Sequence, residues 1–405
     1  MNEANRTAFE KLTGARPILI GCGTAGEVMP GFRKNLILHS GPPVEFGNMR
    51  GPHRMGIVGA AMLEGLARDE KEAVGMIESG EIELGCANDF HSGGPGAGIT
   101  SYSMAMLVVR EKNSGTLGFA APIEGALGGG LGGWGVYNDS VRENLKRIAG
   151  IFAPLLDRVL KQSGGIDIAD LFANGLLMGD EEHTRQVATD KLFLSQVLSK
   201  SGESDLSDSE RVALLNWLNS CRRFVHHVGC ASAVAALKSA SGVAGSTLVT
   251  AMCGNGFEFG IKTSGTGEQW YTAPAPVFCG RCFSPADSLE NAAPWLGDSS
   301  NVEAWGLGGM VAAASPALLR DRSESPADGV RQCAEMAEIC FGRNPVFAVP
   351  LLPESFAPAG ILPELVVEKK ITPKMHGGIL SRITGGQIGV GYARTPLECF
   401  EKALA

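Results

Sequence analysis

Apolar and polar positions along the chain follow two different periods. From residue 16 to residue 140, short apolar runs alternate with glycine turns, which is typical of strands. One helix is predicted among them, over about Gly56–Ser79, because Gly80 is a plausible C-terminal cap. The predicted strands are RPILI (16–20), NLILH (35–39), EIELG (81–85), SMAMLVV (103–109) and TLGFAAPI (116–123).

Helical periodicity then dominates residues 140–240, in four segments: SVRENLKRIAGIFAPLLDRVLKQ, HTRQVATDKLFLSQVLSK, SERVALLNWLNSCRRFVHHV and CASAVAALKSA. After Ser241 the strand-like pattern returns, with a strand pair around Cys253–Gly256 and one helix near 327–341. We therefore predict an α/β protein with a glycine-rich mixed β core and a helical insertion. The expected regions are an N-terminal α/β domain (1–140), a helical region (141–245) and a C-terminal α/β domain (246–405).

Composition narrows the classes of protein that the chain can represent. The 405 residues carry a net charge of −8 and no basic tract, which argues against nucleic-acid binding and against a basic membrane patch. The first residues lack an apolar signal core, and no uncharged apolar run is long enough to cross a membrane. We expect a cytoplasmic protein. The 55 glycines, about twice the usual share, suggest backbone that turns sharply or approaches a ligand closely.

The ten cysteines do not form a recognisable ligand pattern. Only Cys279 and Cys282 are spaced as CxxC, and a second pair at zinc-finger spacing is missing. We therefore expect neither a metal nor a cofactor, although the sequence leaves open whether this pair binds a metal.

One glycine loop matches the dinucleotide pattern GxGxxG. It covers Gly21–Gly26, follows a predicted strand and precedes the acidic Glu45 by 19 residues. Pro30 and Gly31 come too soon afterwards to leave room for the crossover helix that such a site needs. We favour a turn in which Gly23 and Thr24 cradle an anion. Two similar loops, 91–100 and 124–135, favour a ligand that is wrapped by backbone.

The segment Asn174–Gln186, NGLLMGDEEHTRQ, joins an apolar run to a charged cluster. If helical phase extends back from Val187, Asp180 and His183 continue the apolar face, whereas Glu181 and Arg185 face solvent as an ion pair. Asp180 then either caps the helix, by accepting the amide hydrogen of residue 183, or orients His183 as a general base.

Several other polar residues are candidates, and a surface or turn role explains each of them equally well. Those that could bind substrate or an anion are Arg50, His53 and Arg54 before a helix start, Asn88, Asp89 and His91 after a strand, Asn255, and Asp298. Glu303, His376 and Gln387 also lie beside glycines. The adjacent His226 and His227 point apart in a helix, so a joint metal role is not expected.

Eight segments in the same order resemble the YlbE/YahG-like family: ILIGCGTAGEVMPG, LILHSGPPVEF, MRGPHRMGIVGAAMLEGLA, NGLLMGDEEHTR, GNGFEFGIK, YTAPAPV, LGDSSNVEAWGLGGMVAAASPAL and TGGQIGVGYARTP. The resemblance covers nearly the whole chain, and Asn174–Arg185 follows the best family motif. Members of this family are associated with FdrA-like proteins, and one is a subunit of oxamate carbamoyltransferase in anaerobic allantoin breakdown. This chain departs from the family at 87–91, where relatives carry consecutive histidines, and at 126–130, where they carry a lysine.

The resemblance implies a subunit of a carbamoyl- or acyl-transfer enzyme that acts on a small amide or ureido acid, in a homo-oligomer with an FdrA-like partner. The expected catalytic residues are His183 as the base, Asp180 as its orienter, and Asn174 and Glu124. Two alternatives remain open: hydrolysis or elimination at a related C–N bond without phosphate, and a scaffold subunit whose partner carries the chemistry.

Overall fold

A computed structural model provides the structure of the protein, and it describes residues 2–124, 130–352 and 354–405. The α-helices of the described chain are α1 Glu3–Gly14, α2 Ala25–Val28, α3 Gly51–Leu63, α4 Glu70–Glu78, α5 Leu131–Trp134, α6 Asp139–Arg147, α7 Ala153–Ser163, α8 Ile168–Leu177, α9 Val187–Ser201, α10 Asp208–Ser220, α11 Phe224–Ser239, α12 Asn301–Ala304, α13 Pro316–Asp321, α14 Pro326–Ala337, α15 Pro363–Lys369 and α16 Leu397–Leu404. A π-helical turn, Ile148–Phe152, joins α6 to α7.

The strands are short and form several small sheets rather than one large sheet. They are β1 Pro17–Thr24, β2 Leu36–His39, β3 Glu83–Cys86, β4 Ala105–Glu111, β5 Leu117–Ala120, β6 Ile166–Asp167, β7 Val249–Asn255, β8 Glu258–Thr263, β9 Tyr271–Pro274, β10 Cys279–Cys282, β11 Leu296–Gly297, β12 Cys340–Ala348, β13 Phe356–Ile361, β14 Lys374–Leu380 and β15 Gln387–Arg394. Two sheets have the strand orders β5-β4-β1-β6 and β11-β7-β8-β9, and a third has the order β10-β15-β14. Their neighbouring strands are antiparallel, whereas β2 and β3 pair in parallel.

Helix α11 lies at the centre of this arrangement. Every residue from Phe224 to Leu237 is buried, and the helix packs against β4 and β5 on one side and against α12 and β7 on the other. A helix that is apolar all round is stable only in such a core. Its alanine-rich sequence brings the neighbouring sheets close together, so the first turn of α11 meets loops from several sheets.

The α/β fold class predicted from the sequence is confirmed by these elements, and the strand predictions fall close to β1–β5. The single helix predicted over Gly56–Ser79 is wrong. The chain turns at Gly65, which has φ +66°, and Asp69 then caps α4 by accepting the amide hydrogen of Glu72. The hydrophobic core contains residues from all three predicted regions, and the division at 140 and 245 stays a prediction.

Two further observations concern limits of the described chain. Within the described residues, no helix combines the length and apolar character needed to span a bilayer. Residues 125–129 lie outside the described part, and they include most of the 126–130 segment in which the chain departs from its family.

Candidate active site

A hollow with a cavity volume of about 40 Å³ lies beside the first turn of α11. Loops after β3, after β5 and before α9 form part of its wall, together with β14 and the start of β15. Polar and aromatic side chains share the lining with glycine backbone. The residues that matter for the chemistry are His183, Arg223, His226, His227, Trp295, Ser299 and Gln387.

His183 and Glu303 form a buried hydrogen-bonded pair at this hollow. The Nδ1 atom of His183 lies 2.7 Å from Oε1 and 2.8 Å from Oε2 of Glu303. Glu303 Oε1 also accepts the amide hydrogens of Gly309 and His376, so the carboxylate is the acceptor and Nδ1 carries the proton. Burial raises the pKa of Glu303, whereas the imidazole and the two amides oppose that shift. The Nε2 atom of His183 is thereby left for a ligand in the hollow.

The approach of Gly308 to this pair requires a glycine. Gly308 has φ +56°, and a Cβ atom there would lie 2.3 Å from Glu303 Oε1 and 3.0 Å from His183 Cβ. The turn after α12 can therefore close over the carboxylate only without a side chain at this position, and its backbone holds Glu303 against the imidazole.

A second buried pair, Glu181 and His376, lies behind the first. His376 Nδ1 is 3.1 Å from Glu181 Oε2, and Arg322 donates to His376 Nε2 at 2.7 Å. Because a guanidinium can only donate, Nε2 is an acceptor and His376 is neutral. Burial and the charge of Arg322 lower the pKa of His376 to about 3. Burial alone would raise the pKa of Glu181, but His376, His183 and Arg322 lower it.

Arg223 supplies positive charge to the hollow at the N-terminus of α11. Asp190 of α9 fixes this helix end by accepting the amide hydrogens of Arg223 and Val225, at 2.7 and 3.1 Å. The guanidinium of Arg223 donates to the carbonyl oxygen of His183 at 2.9 Å. Within the described residues, no side-chain carboxylate pairs with this guanidinium, so it is available to an anion.

The next turn of α11 contributes two imidazoles of opposite hydrogen-bonding character. Gln186 lies between Arg223 Nε and His226 Nδ1, at 3.4 Å from each, so its oxygen faces the arginine and its NH₂ faces His226. His226 Nδ1 is then an acceptor, and Nε2 carries the proton. In His227 the order is reversed, because Nδ1 donates to the carbonyl oxygen of Ala121 at 2.7 Å. Burial is the main cause that lowers the pKa of both rings, and the charge of Arg223 acts in the same direction, whereas the hydrogen bond to Ala121 opposes the shift of His227.

A second hollow, with a cavity volume of about 10 Å³, adjoins the first and shares Pro95, Gly133, Trp134 and His227 with it. Glu124 lines this second hollow and accepts the amide hydrogens of Leu131 and Gly132 at 2.8 and 2.6 Å. Burial raises the pKa of Glu124 to about 7, despite these two hydrogen bonds. Glu124, which the resemblance places among the catalytic residues, therefore lies close to the hollow of His183 but does not line it.

Replacement of Glu124 by Gln should change how stability depends on pH. The folded-state pKa is about 7 and the ordinary value is 4.5, so the native protein keeps a proton that the unfolded chain releases. This contribution is complete below pH 4.5 and is lost as the pH rises to about 7. Relative to Glu124→Gln, the wild-type free energy of unfolding should fall by roughly 3 kcal/mol between pH 4.5 and pH 8. Urea unfolding at several pH values measures this difference.

The matched control is Glu78→Gln, which changes an exposed glutamate at the end of α4. Its unfolding free energy should follow that of wild type at every pH. Parallel curves for wild type and Glu124→Gln would contradict the prediction, because the lost hydrogen bond of the glutamine adds only a constant offset.

The predicted helical phase of the charged cluster is wrong. Helix α9 begins at Val187, and residues 180–186 form a loop in which Glu182 has φ +68°. Asp180 caps α9 from a distance, because its carboxylate accepts the amide hydrogens of Ala188 and Thr189 at 2.7 and 2.9 Å. The alternative in which Asp180 orients His183 is therefore wrong, since Glu303 occupies that position.

The same loop reverses the predicted exposure of its charged residues. Glu181 is fully buried rather than facing solvent, and it accepts the amide hydrogen of Arg185 at 2.8 Å. Arg185 instead approaches Asp180, at 3.5 Å. Val187, the predicted centre of the apolar face, is 58% exposed. The structure thus keeps His183 inside, as predicted, but for a different reason.

Asn174 lies outside both hollows. It is on the exposed face of α8, and its side chain donates to the carbonyl oxygen of Asp170 one turn earlier, at 2.8 Å. This is the usual local hydrogen bond of a polar residue within a helix. The structure gives no contact between Asn174 and the other predicted catalytic residues.

The anion-binding turn predicted at Gly23 and Thr24 is wrong. Gly23 and Thr24 end strand β1, and only the four-residue helix α2 follows them. The amide of Cys22 donates to Asp157 at 3.0 Å, and that of Thr24 donates to Glu27 at 2.9 Å. Because the Thr24 amide is already paired with a carboxylate and Gly23 lies within strand β1, the structure does not support an anion-binding turn here.

Arg50 and Arg54 also lie away from the hollows. Arg50 is exposed, and its guanidinium donates to the carbonyl oxygen of Met49 at 2.8 Å. Arg54 lies over the ring of Phe46, with its Cζ 4.1 Å from the ring centroid. Packing on Phe46 and backbone carbonyls occupies both side chains, so the structure does not support the predicted anion-binding role.

Asn88, Asp89 and His91 form a short turn after β3, and none of them lines either hollow. Asp89 pairs with the buried Lys262 at 2.5 Å. His91 adopts φ +56° and places Nδ1 3.1 Å from the carbonyl oxygen of Leu117. The side-chain oxygen of Asn88 is buried without a hydrogen-bond partner.

Asn255 and Asp298 support the loop that contains Gly41. Asn255 donates to the carbonyl oxygen of Pro42 at 3.0 Å, and Asp298 accepts the amide hydrogen of Gly41 at 2.7 Å. Burial raises the pKa of Asp298 to about 7. Its neighbour Ser299 lines the hollow, so Asp298 is near the site without facing it.

The sequence does not single out most of the residues that the fold brings together around His183. Arg223, His226 and His227 sat within a predicted continuous helix, whereas the chain breaks at Arg223, which has φ +65°. Glu303 and His376 were noted only as polar residues beside glycines. The usable signal was charge within apolar surroundings, as in NVEAWGLGGMV, because a charged side chain is rarely buried without a partner.

Among the described residues, no group of three or more His, Cys, Asp or Glu side chains could hold a metal ion. Cys279 and Cys282 lie on strand β10, where Cys279 is exposed. The two cysteines therefore have the spacing of a ligand pair but lack further ligands around them in that part of the chain.

The sequence and the fold both match known proteins. Residues 82–299 match the family model described as oxamate carbamoyltransferase subunit AllG. The chain is 33% identical to the oxamate carbamoyltransferase subunit AllG of Escherichia coli (strain K12), over 99% of this chain and 96% of that protein. It is 32% identical to the uncharacterized protein YahG of the same organism, over 99% of this chain and 84% of that protein.

A solved structure matches the fold over the same length. The crystal structure of a conserved protein of unknown function from Enterococcus faecalis V583 aligns with a TM-score of 0.94 and 32% sequence identity, and the match covers 99% of this chain and 96% of that chain. The resemblance read from the eight sequence segments is thereby confirmed.

Proposed function

The chain belongs to the AllG family, as a divergent member, and from that premise we propose that it is a subunit of an enzyme that transfers a carbamoyl group between a small amide acid and phosphate. The observation that carries this proposal is the His183–Glu303 pair, which lies in a small hollow beside Arg223, an arginine that no carboxylate of the described residues pairs with. Oxamate is the amide acid that the relative's name supplies.

The lining of the hollow has the polarity that a small planar acid requires. The guanidinium of Arg223 and the Nε2–H of His226 are donors for a carboxylate. Trp295 and Phe278 stack with ring centroids 5.1 Å apart and provide a flat apolar wall. A planar amide such as oxamate can lie against this wall while its carboxylate meets the positive charge.

His183 supplies the proton transfer that the reaction needs. In the direction of breakdown, a phosphate oxygen attacks the carbamoyl carbon of N-carbamoyl oxamate, and the bond from that carbon to the oxamate nitrogen breaks. The imidazolium of His183 gives its Nε2 proton to the departing nitrogen, and the proton that the phosphate oxygen loses returns to His183, so the products are carbamoyl phosphate and oxamate. In the opposite direction, neutral His183 removes the amide proton as the nitrogen attacks. Glu303 stabilises the charged imidazole.

A positively charged groove gives phosphate a route to this site. Its volume is about 670 Å³, and Arg223 lines both this groove and the hollow. Arg185, Lys191, Arg222, Arg281 and Arg322 line the groove, against two aspartates. Such a surface attracts a phosphate dianion and directs it towards Arg223. We also propose that this groove contacts an FdrA-like partner subunit.

Carbamoyl phosphate formation from N-carbamoyl oxamate and phosphate tests the proposal. The full chain is assayed alone and with an FdrA-like partner subunit, and turnover that depends on phosphate is the expected result. Release of ammonia without phosphate would show C–N hydrolysis instead. Absence of turnover in both preparations, across a range of ureido acids, would refute the proposed function.

A further inference from the structure

His227 presents an unpaired hydrogen-bond acceptor to the ligand space. The side chain is 5% exposed and lines both hollows at their junction. Its Nδ1–H is committed to the carbonyl oxygen of Ala121, so the lone pair of a neutral ring is on Nε2. Nε2 is buried and has no hydrogen-bond partner in the described structure. An unsatisfied buried acceptor is costly unless a ligand supplies a donor.

The hydrogen-bonding groups around His227 match one chemical class of ligand. Arg223 lies one helical turn before His227, and both line the same hollow. Arg223 and the Nε2–H of His226 offer donors, whereas His227 offers an acceptor. A molecule that satisfies all three groups carries a carboxylate at one end and an N–H group beside it.

We propose that His227 determines specificity by accepting a hydrogen bond from a substrate N–H, so that the hollow selects small carboxylates bearing a carboxamide or ureido group over their oxygen and methyl isosteres. This inference rests on the proposed function, because it names the group that the same hollow recognises. A methyl group leaves Nε2 unpaired, and a carboxylate oxygen brings a second lone pair against it.

Three isosteric ligands test the inference by calorimetry on the full chain: oxamate, which has an NH₂ group, pyruvate, which has a methyl group at that position, and oxalate, which has an oxygen. Wild type should bind oxamate roughly ten- to a hundredfold more tightly than pyruvate. His227→Asn retains a donor for Ala121 but lacks the Nε2 acceptor, so its preference should fall to within about threefold. His227→Gln places an oxygen near the position of Nε2 and should restore part of the preference.

The outcomes separate this inference from a structural role and from the proposed reaction. Equal binding of oxamate and pyruvate by wild type, or no binding of any of the three ligands, overturns it. It is also overturned if His227→Asn and His227→Gln stay folded but lose all three ligands equally, because His227 then acts only on the shape of the hollow. If the variants change the preference but carbamoyl transfer is absent, the proposed reaction fails while the recognition of N–H stands.

Discussion

Replacement of His183 by Asn should lower kcat for carbamoyl phosphate formation by about 10²–10⁴-fold, the range expected for loss of a general acid–base. The asparagine NH₂ group lies near the position of Nδ1 and can still donate to Glu303, so the buried carboxylate keeps a partner and the fold is retained. The side chain then has no group that can take up and release the proton of the reacting nitrogen. Initial rates at saturating substrate, with thermal unfolding as a check of the fold, measure the effect.

The matched control for this prediction is His91→Asn. His91 lines neither hollow and adopts φ +56°, a left-handed conformation that asparagine tolerates. The control should keep wild-type kcat. A His183→Asn variant that remains within twofold of wild type would contradict the assignment of the base and would favour a scaffold subunit whose partner performs the chemistry.

Replacement of Arg223 by Asn should lower kcat/KM by about 10²–10³-fold, mainly through a higher KM. A charge-assisted hydrogen bond to a carboxylate in a buried site is lost, and such bonds contribute about 2–5 kcal/mol. Asparagine suits the left-handed backbone at this helix end, where Arg223 has φ +65°, and it leaves space for a small cation. Added guanidinium ion should therefore recover part of the lost rate.

Arg222→Asn provides the comparison, because Arg222 lies in the positively charged groove but does not line the hollow. It should change the KM for the amide acid only slightly and should not respond to guanidinium. If the two arginine variants behave alike, the effect comes from the general potential of the groove, and Arg223 does not hold the substrate.

The period of the apolar residues predicts the positions of most helices and strands, because it shows which face of a local element is buried. Strands β1–β5 and the helical region around α6–α11 followed it closely. The errors fell where one residue changes the backbone direction. Gly65 separates α3 from α4, and Arg223 starts α11 in a left-handed conformation that no local pattern announces. The apolar pattern predicts neither helix α1 nor helix α16.

The candidate site was predictable in part. The family motif and the apolar phase both pointed to His183, and His183 lines the hollow. Its partner could not be found in the same way, because Glu303 is 120 residues away in sequence and nearby Asp180 offered a simpler explanation. Asp180 instead caps the start of α9, because its carboxylate accepts hydrogen bonds from the backbone amides of that helix that have no partner within the helix.

The sequence by itself determined the family, the α/β class, the approximate positions of most strands and helices, and the one histidine that a local motif singles out. These properties depend on residues that are close together in the chain, so local patterns in a single sequence are enough to predict them. Only the tertiary structure decided which charges meet at that histidine. Glu303, His376 and Arg223 come from separate elements, and the strength of each contact depends on burial and on distances of a few ångströms. Packing of α11 between the sheets sets those distances, and no local pattern encodes them.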